Sequence, residues 1–142
     1  MSKPMSNEEN KKQENKTERP ILQFSVLCDG IATPQEIGNK PVFIGVFNSL
    51  LRPMTVPQFF IANRWINGTG EHTQVIKILD PELKEIAKTN AQKFILISKV
   101  NSADLFSAFV NLNFAKTGVY WIKVELDDKL AMSYPFPVFE QK

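Results

Sequence analysis

The sequence predicts an all-β fold, two antiparallel sheets packed face to face with about eight or nine strands. Three observations carry this. Apolar residues recur at every second position in several separate stretches, the period of a half-buried strand. Nine prolines and six glycines punctuate the 142 residues, which suits short strands joined by turns. A hydrophobic fraction of 43% with 11 phenylalanines supplies enough apolar surface for one core, and a body of about 120 residues buries roughly two-thirds of the surface its unfolded chain exposes.

Residues 1–19 hold almost no large apolar side chains and mix acidic with basic groups. Such a segment cannot offset the entropy of ordering, so a disordered tail is expected there, with a β-sandwich domain over 20–142. In the first strand, ILQFSVLCD, the residues Leu22, Phe24, Val26 and Cys28 share one parity and are expected to face inward. Gly30 to Lys40 reads as a loop. Pro41 to Phe47, PVFIGVF, is apolar throughout and reads as a central strand covered on both faces, with Gly45 marking a bulge or a close backbone approach.

The next ten residues, NSLLRPMTVP, contain two prolines that break regular structure, yet Leu50, Leu51, Met54 and Val56 are apolar. Either this loop closes one end of the core or it leaves a small apolar patch, through Leu51 and Met54, that meets a partner. A strand follows over Gln58 to Ile66, then the Asn67-Gly68 turn signal and a returning strand over His72 to Asp80. Glu85 to Lys88 reads as a short strand, with a helix over 81–92 as the alternative. Lys93 to Val100 and Leu105 to Phe114 read as two further strands. In the second, Phe106, Ala108, Val110, Leu112 and Phe114 form the expected inward row, which sends Phe109 outward.

The last stretch, GVYWIKVELDDKLAMSYPFPV, alternates most regularly. Tyr120, Ile122, Val124 and Leu126 share a face, and a polar turn at Asp127 and Asp128 returns the chain as a second strand. A Gly-x-Tyr step opening a late strand resembles the tyrosine corner of immunoglobulin-like sandwiches, in which the phenol oxygen bonds to backbone just upstream. Ile122 stands where antibody domains carry a cysteine, so no inter-sheet disulfide is implied.

LCDG at Leu27 to Gly30, PVFIGVF, ILDPE at Ile78 to Glu82 and the terminal hairpin are together similar to a family of short uncharacterised bacterial proteins of unknown function with an immunoglobulin-like sandwich. The resemblance spans most of residues 20–140 and implies the fold. It carries no catalytic residues with it.

The sequence is poor in chemistry-bearing patterns. One histidine and one cysteine do not make a zinc set, and no strained Gly-x-Ser-x-Gly elbow accompanies His72. His72 is expected at the surface. Asp127 and Asp128 are expected to face water, and Cys28 to be a small core residue rather than a nucleophile. No catalytic, cofactor or metal site is expected. The 17 basic and 15 acidic residues leave a formal charge of +2 without a basic face, so no nucleic-acid partner is expected. No membrane partner is expected either, because no run reaches about 18 apolar residues. A single cysteine and the absence of a signal-like apolar stretch in residues 1–19 lead to a cytoplasmic expectation.

The functional expectation is a non-enzymatic protein-interaction module. A carbohydrate- or small-ligand-binding domain, or an unrecognised enzyme, is the alternative. If Tyr120 faces inward, parity sends Trp121 outward. Trp121, Phe109, Leu51 and Met54 are therefore the candidate interface residues, for another protein or for a homodimer.

Overall fold

The computed structural model describes residues 17–140. Its strands are β1 (Ile21–Ala32), β2 (Val42–Phe47), β3 (Met54–Ile66), β4 (Gly70–Leu79), β5 (Glu85–Lys88), β6 (Gln92–Leu96), β7 (Ser102–Phe114), β8 (Gly118–Leu126) and β9 (Lys129–Val138). A single 3₁₀ turn, Gln35–Ile37, lies between β1 and β2. Residues 85–88 form the short strand rather than a helix. Most of the expected disordered tail lies outside the described residues.

Residues 17–19, at the end of that segment, are tied to the body. Glu18 and Thr69 bridge as isolated strand residues. Arg19 Nη1 donates to the Leu126 carbonyl at 3.3 Å.

The strands form two antiparallel sheets, β2-β1-β3-β7 and β5-β4-β8-β9, with β6 also on β4. β5 faces residues 77–79 of β4 and β6 faces residues 70–74, so together they make one interrupted edge. β3 adjoins β7 in one sheet, while β4, β8 and β9 lie side by side in the other. Strands B and E and strands C, F and G have this adjacency in immunoglobulin domains. The tyrosine corner is present at the expected place. Tyr120 is buried, its hydroxyl accepts from the Lys116 N–H at 3.0 Å and it donates to the Lys116 carbonyl at 3.2 Å.

The core lies between the sheets and is built largely from aromatic rings. Phe114 contacts Tyr120, Phe136 and Phe59 at centroid distances of 5.1, 5.3 and 6.1 Å. Nearer the other end, Trp65 stacks on Phe94 at 5.9 Å among Leu96, Val124 and Leu126. Such contacts add to the free energy of burying large apolar area.

Three expectations are overturned, two of them where the backbone departs from a regular strand and one by which strands pair. In β7 the inward row is Leu105, Ser107 and Phe109, and it changes parity before Leu112 and Phe114. Asn111 adopts φ 52° there, in line with Pro57 of β3, whose own inward row changes parity between Val56 and Phe59. Phe109 is consequently buried and stacks on Phe59 at 5.1 Å. Phe106 and Val110 are exposed.

In β1 an extra residue lies between Leu22 and Phe24 in the ladder with β3. A bulge of this kind moves the residues beyond it to the opposite face. Ser25 and Leu27 therefore point inward, Ser25 bonding the Tyr134 hydroxyl at 2.7 Å. Cys28 is still fully buried, but on the other side of the sheet.

The third correction concerns β2, which is an edge strand rather than a central one. The distal part of the β1–β2 hairpin bends at Gly45, whose φ is 67° and where a Cβ would meet the Asp29 carboxylate. Phe43 thereby reaches Phe24 at 5.7 Å and Phe106 at 6.0 Å on the outer face.

Candidate interaction site

The connection from β2 to β3 is held by the end of β9. Leu50 N–H donates to the Pro137 carbonyl at 3.0 Å, and Phe139 N–H donates to the Leu50 carbonyl at 2.9 Å. These bonds press Leu50 against the core, and the next side chain, Leu51, is left 68% exposed. Different residues of this loop turn to the core and to solvent. Leu50 and Val56 close the core, whereas Leu51 and Met54 face solvent.

Between them lies a cleft of about 500 Å³, lined by Phe47, Leu50, Val56, Leu51, Met54 and Ser49, with Asp29 and Arg52 completing it. Phe47, Leu50 and Val56 belong to the core or pack on it, so the floor is apolar and held in place. Arg52 and Asp29 are exposed charges of opposite sign.

The structure brings together two of the four candidate interface residues. Leu51 and Met54 line the same cleft. Trp121 sits on the outer face of the other sheet, half-buried and paired with Leu79 and Pro135. Phe109 is in the core and is removed from the surface set. Phe47 and Asp29 were missed by the sequence reading, because the cleft depends on β2 lying at an edge.

His72 also departs from expectation, being buried at 2% exposure. Its Nδ1 lies 2.7 Å from Asp127 Oδ2 and its Nε2 lies 2.8 Å from the Thr69 carbonyl oxygen. Both ring nitrogens are engaged internally. Asp127 Oδ1 accepts from the Thr73 N–H at 2.8 Å. Burial pushes the Asp127 carboxyl up, but the His72 and Thr73 hydrogen bonds outweigh it and leave the group below its ordinary range. The signal for His72 was present, since it shares parity with Gln74, Ile76 and Ile78 in the inward row of β4.

Two other titratable groups are structural. Asp80 is buried and accepts from the N–H groups of Lys84 and Glu82, both at 2.9 Å, and from Lys116 Nζ at 3.2 Å. The Lys84 N–H chiefly holds its carboxyl below the usual range. Burial raises the Cys28 thiol and the Asp29 charge adds to this, which disfavours the nucleophilic thiolate. Among the described residues no three His, Cys, Asp or Glu side chains gather as metal ligands, and no helix is long and apolar enough to cross a membrane.

A family of unknown function (DUF6941) matches residues 23–139. Among solved structures, an immunoglobulin-like protein from Pseudomonas aeruginosa is similar at 12% identity with a TM-score of 0.37, over 84% of this chain and 96% of that one. A search of curated proteins finds no match.

Proposed function

The chain belongs to a family of unknown function (DUF6941), and on that footing we propose that it is a non-enzymatic protein-binding domain of the cytoplasm. Its contact surface is the cleft between β2 and β3. The observation that carries the reading is a firm apolar floor flanked by two exposed apolar side chains, Leu51 and Met54, and by the opposite charges of Arg52 and Asp29. An apolar centre with a polar rim is the anatomy of a protein contact.

The occupant that fits is a partner segment presenting one apolar side chain to the floor, with an acidic neighbour placed to meet Arg52. The groups of a type suited to acid-base or nucleophilic chemistry support this reading. His72 has both nitrogens engaged internally, and Cys28 is buried with a raised pKa.

The test is a photo-crosslinking residue at position 51 of the full chain, expressed in its native cells. One discrete protein adduct is expected, and Arg52→Glu should abolish it. An adduct pattern equal to that from an exposed control position such as Lys129, or one indifferent to Arg52→Glu, would sink the proposal.

A further inference from the structure

A hydrogen bond needs a donor, and His72 faces acceptors on both sides. Its Nε2 lies 2.8 Å from the Thr69 carbonyl oxygen, and its Nδ1 lies 2.7 Å from Asp127 Oδ2. A carbonyl oxygen only accepts, as does an ionised carboxylate, whereas a neutral imidazole has a single N–H to offer. One of the two contacts would then set lone pair against lone pair. Both are satisfied when each ring nitrogen carries a proton.

A proton on Asp127 instead would run against its surroundings. Although burial opposes charge there, the Thr73 N–H bonds Asp127 Oδ1 at 2.8 Å and the Arg19 charge also favours the carboxylate. Glu18, the other charge on this segment, is paired with Lys99 at 2.7 Å. β6 presents only the Phe94 ring to His72, tilted at 5.7 Å. Among the described residues, Asp127 is thus the charged group bonded to the imidazole.

The two acceptors lie in the β3–β4 and β8–β9 connections, and residues 17–19 rest on the same two connections. Thr69 N–H donates to the Glu18 carbonyl at 3.0 Å, and Glu18 N–H donates to Thr69 Oγ1 at 3.1 Å. Arg19 Nη1 donates to the carbonyl of Leu126, the residue before Asp127. Thr17 packs on Gly70, where a Cβ would lie 2.7 Å from its Oγ1. His72 therefore joins both supports of the segment.

We propose that His72 is a proton-operated fastening for residues 17–19, which holds the two connections together while both its nitrogens are protonated and releases the segment when one proton is lost. The direction follows from the acceptors. With a single proton, either Nδ1 faces the Asp127 carboxylate bare or Nε2 faces the Thr69 carbonyl bare, so attachment weakens as pH rises. The fastening uses no residue of the Leu51 cleft.

The chain has one histidine, so its imidazole signals are unambiguous. Heteronuclear NMR of the full chain near neutral pH is expected to show a proton on each ring nitrogen. From about pH 6 to about pH 9, as the second proton leaves, hydrogen-exchange protection at Thr69 and Glu18 should fall about tenfold or more, once corrected for the intrinsic pH dependence of exchange. Protection at Ile122, in mid-β8, should hold. Asp127→Asn separates the proton from the contact, because an amide can donate to a bare Nδ1. Asparagine also tolerates the φ of 50° at this position. In that variant His72 should carry one proton, and protection at Thr69 should lose its pH dependence.

A single N–H on His72 near neutral pH overturns the inference, as does protection at Thr69 that is unchanged when the second proton leaves. An equal pH response in Asp127→Asn also overturns it, since the carboxylate is what demands the second proton.

Discussion

Trp65 of β3 donates its indole N–H to Gln74 Oε1 of β4 at 2.7 Å, across the middle of the sandwich. The same oxygen accepts from Asn63 Nδ2 at 2.9 Å, and Gln74 Nε2 passes the chain on to Gln92 Oε1 at 2.7 Å. Gln92 then bonds Ser107 of β7. A buried polar group left without its partner costs about 1 to 3 kcal/mol. Gln74→Leu orphans the Trp65 and Asn63 donors together and is expected to destabilise by about 2 to 4 kcal/mol. Asn63→Leu should cost less, because Gln74 keeps its bond from Trp65. Urea denaturation of both variants checks the order, and equal losses would show that the network is not shared in this way.

Phe109 and Trp121 exchange the roles their sequence positions imply. Phe109→Ala empties a core site and is expected to cost about 3 to 5 kcal/mol. Trp121→Ser removes a half-covered ring from an outer face, for about 1 to 2 kcal/mol. Thermal or chemical melts of the pair test the ordering. A Trp121 variant as unstable as the Phe109 variant contradicts the placement of Trp121.

Acid should loosen the fold through Asp80 and Asp127. Both carboxyls titrate lower in the folded chain than ordinarily, so the folded state favours their charged forms. Their stabilisation is present in full above the unfolded value, about 3.9. It disappears as pH falls through the folded values. Stability measured from pH 7 down to pH 2 is expected to decline below about pH 4, less steeply in Asp80→Asn. An unchanged acid limb in that variant rules out Asp80 as a contributor.

Truncation locates the start of the domain. Removing residues 1–19 takes away the Glu18–Thr69 backbone bond of 3.0 Å and the Lys99–Glu18 ion pair of 2.7 Å. Removing 1–16 leaves both. The longer deletion is expected to be less stable than the shorter by about 1 to 2 kcal/mol. Identical melts would show that residues 17–19 contribute nothing.

The sequence by itself determined the class of fold and the tyrosine corner. Alternation in β8 and in most of β4 reports burial directly, because a regular strand sends successive side chains to opposite faces. Tyr120 could be recognised for the same reason, its hydroxyl needing only the backbone four residues upstream. Leu51 and Met54 were legible as apolar residues beside prolines, where a loop cannot hide every side chain.

Tertiary structure alone decided the rest. Phe109 went inward because Asn111 and Pro57 interrupt two paired strands at one level, and a single change of parity transfers every residue beyond it to the other face. PVFIGVF reads as central because it is apolar throughout, yet position within a sheet is a matter of which strands pair with it, a long-range relation that local composition does not encode. That same placement at an edge creates the cleft beside Phe47.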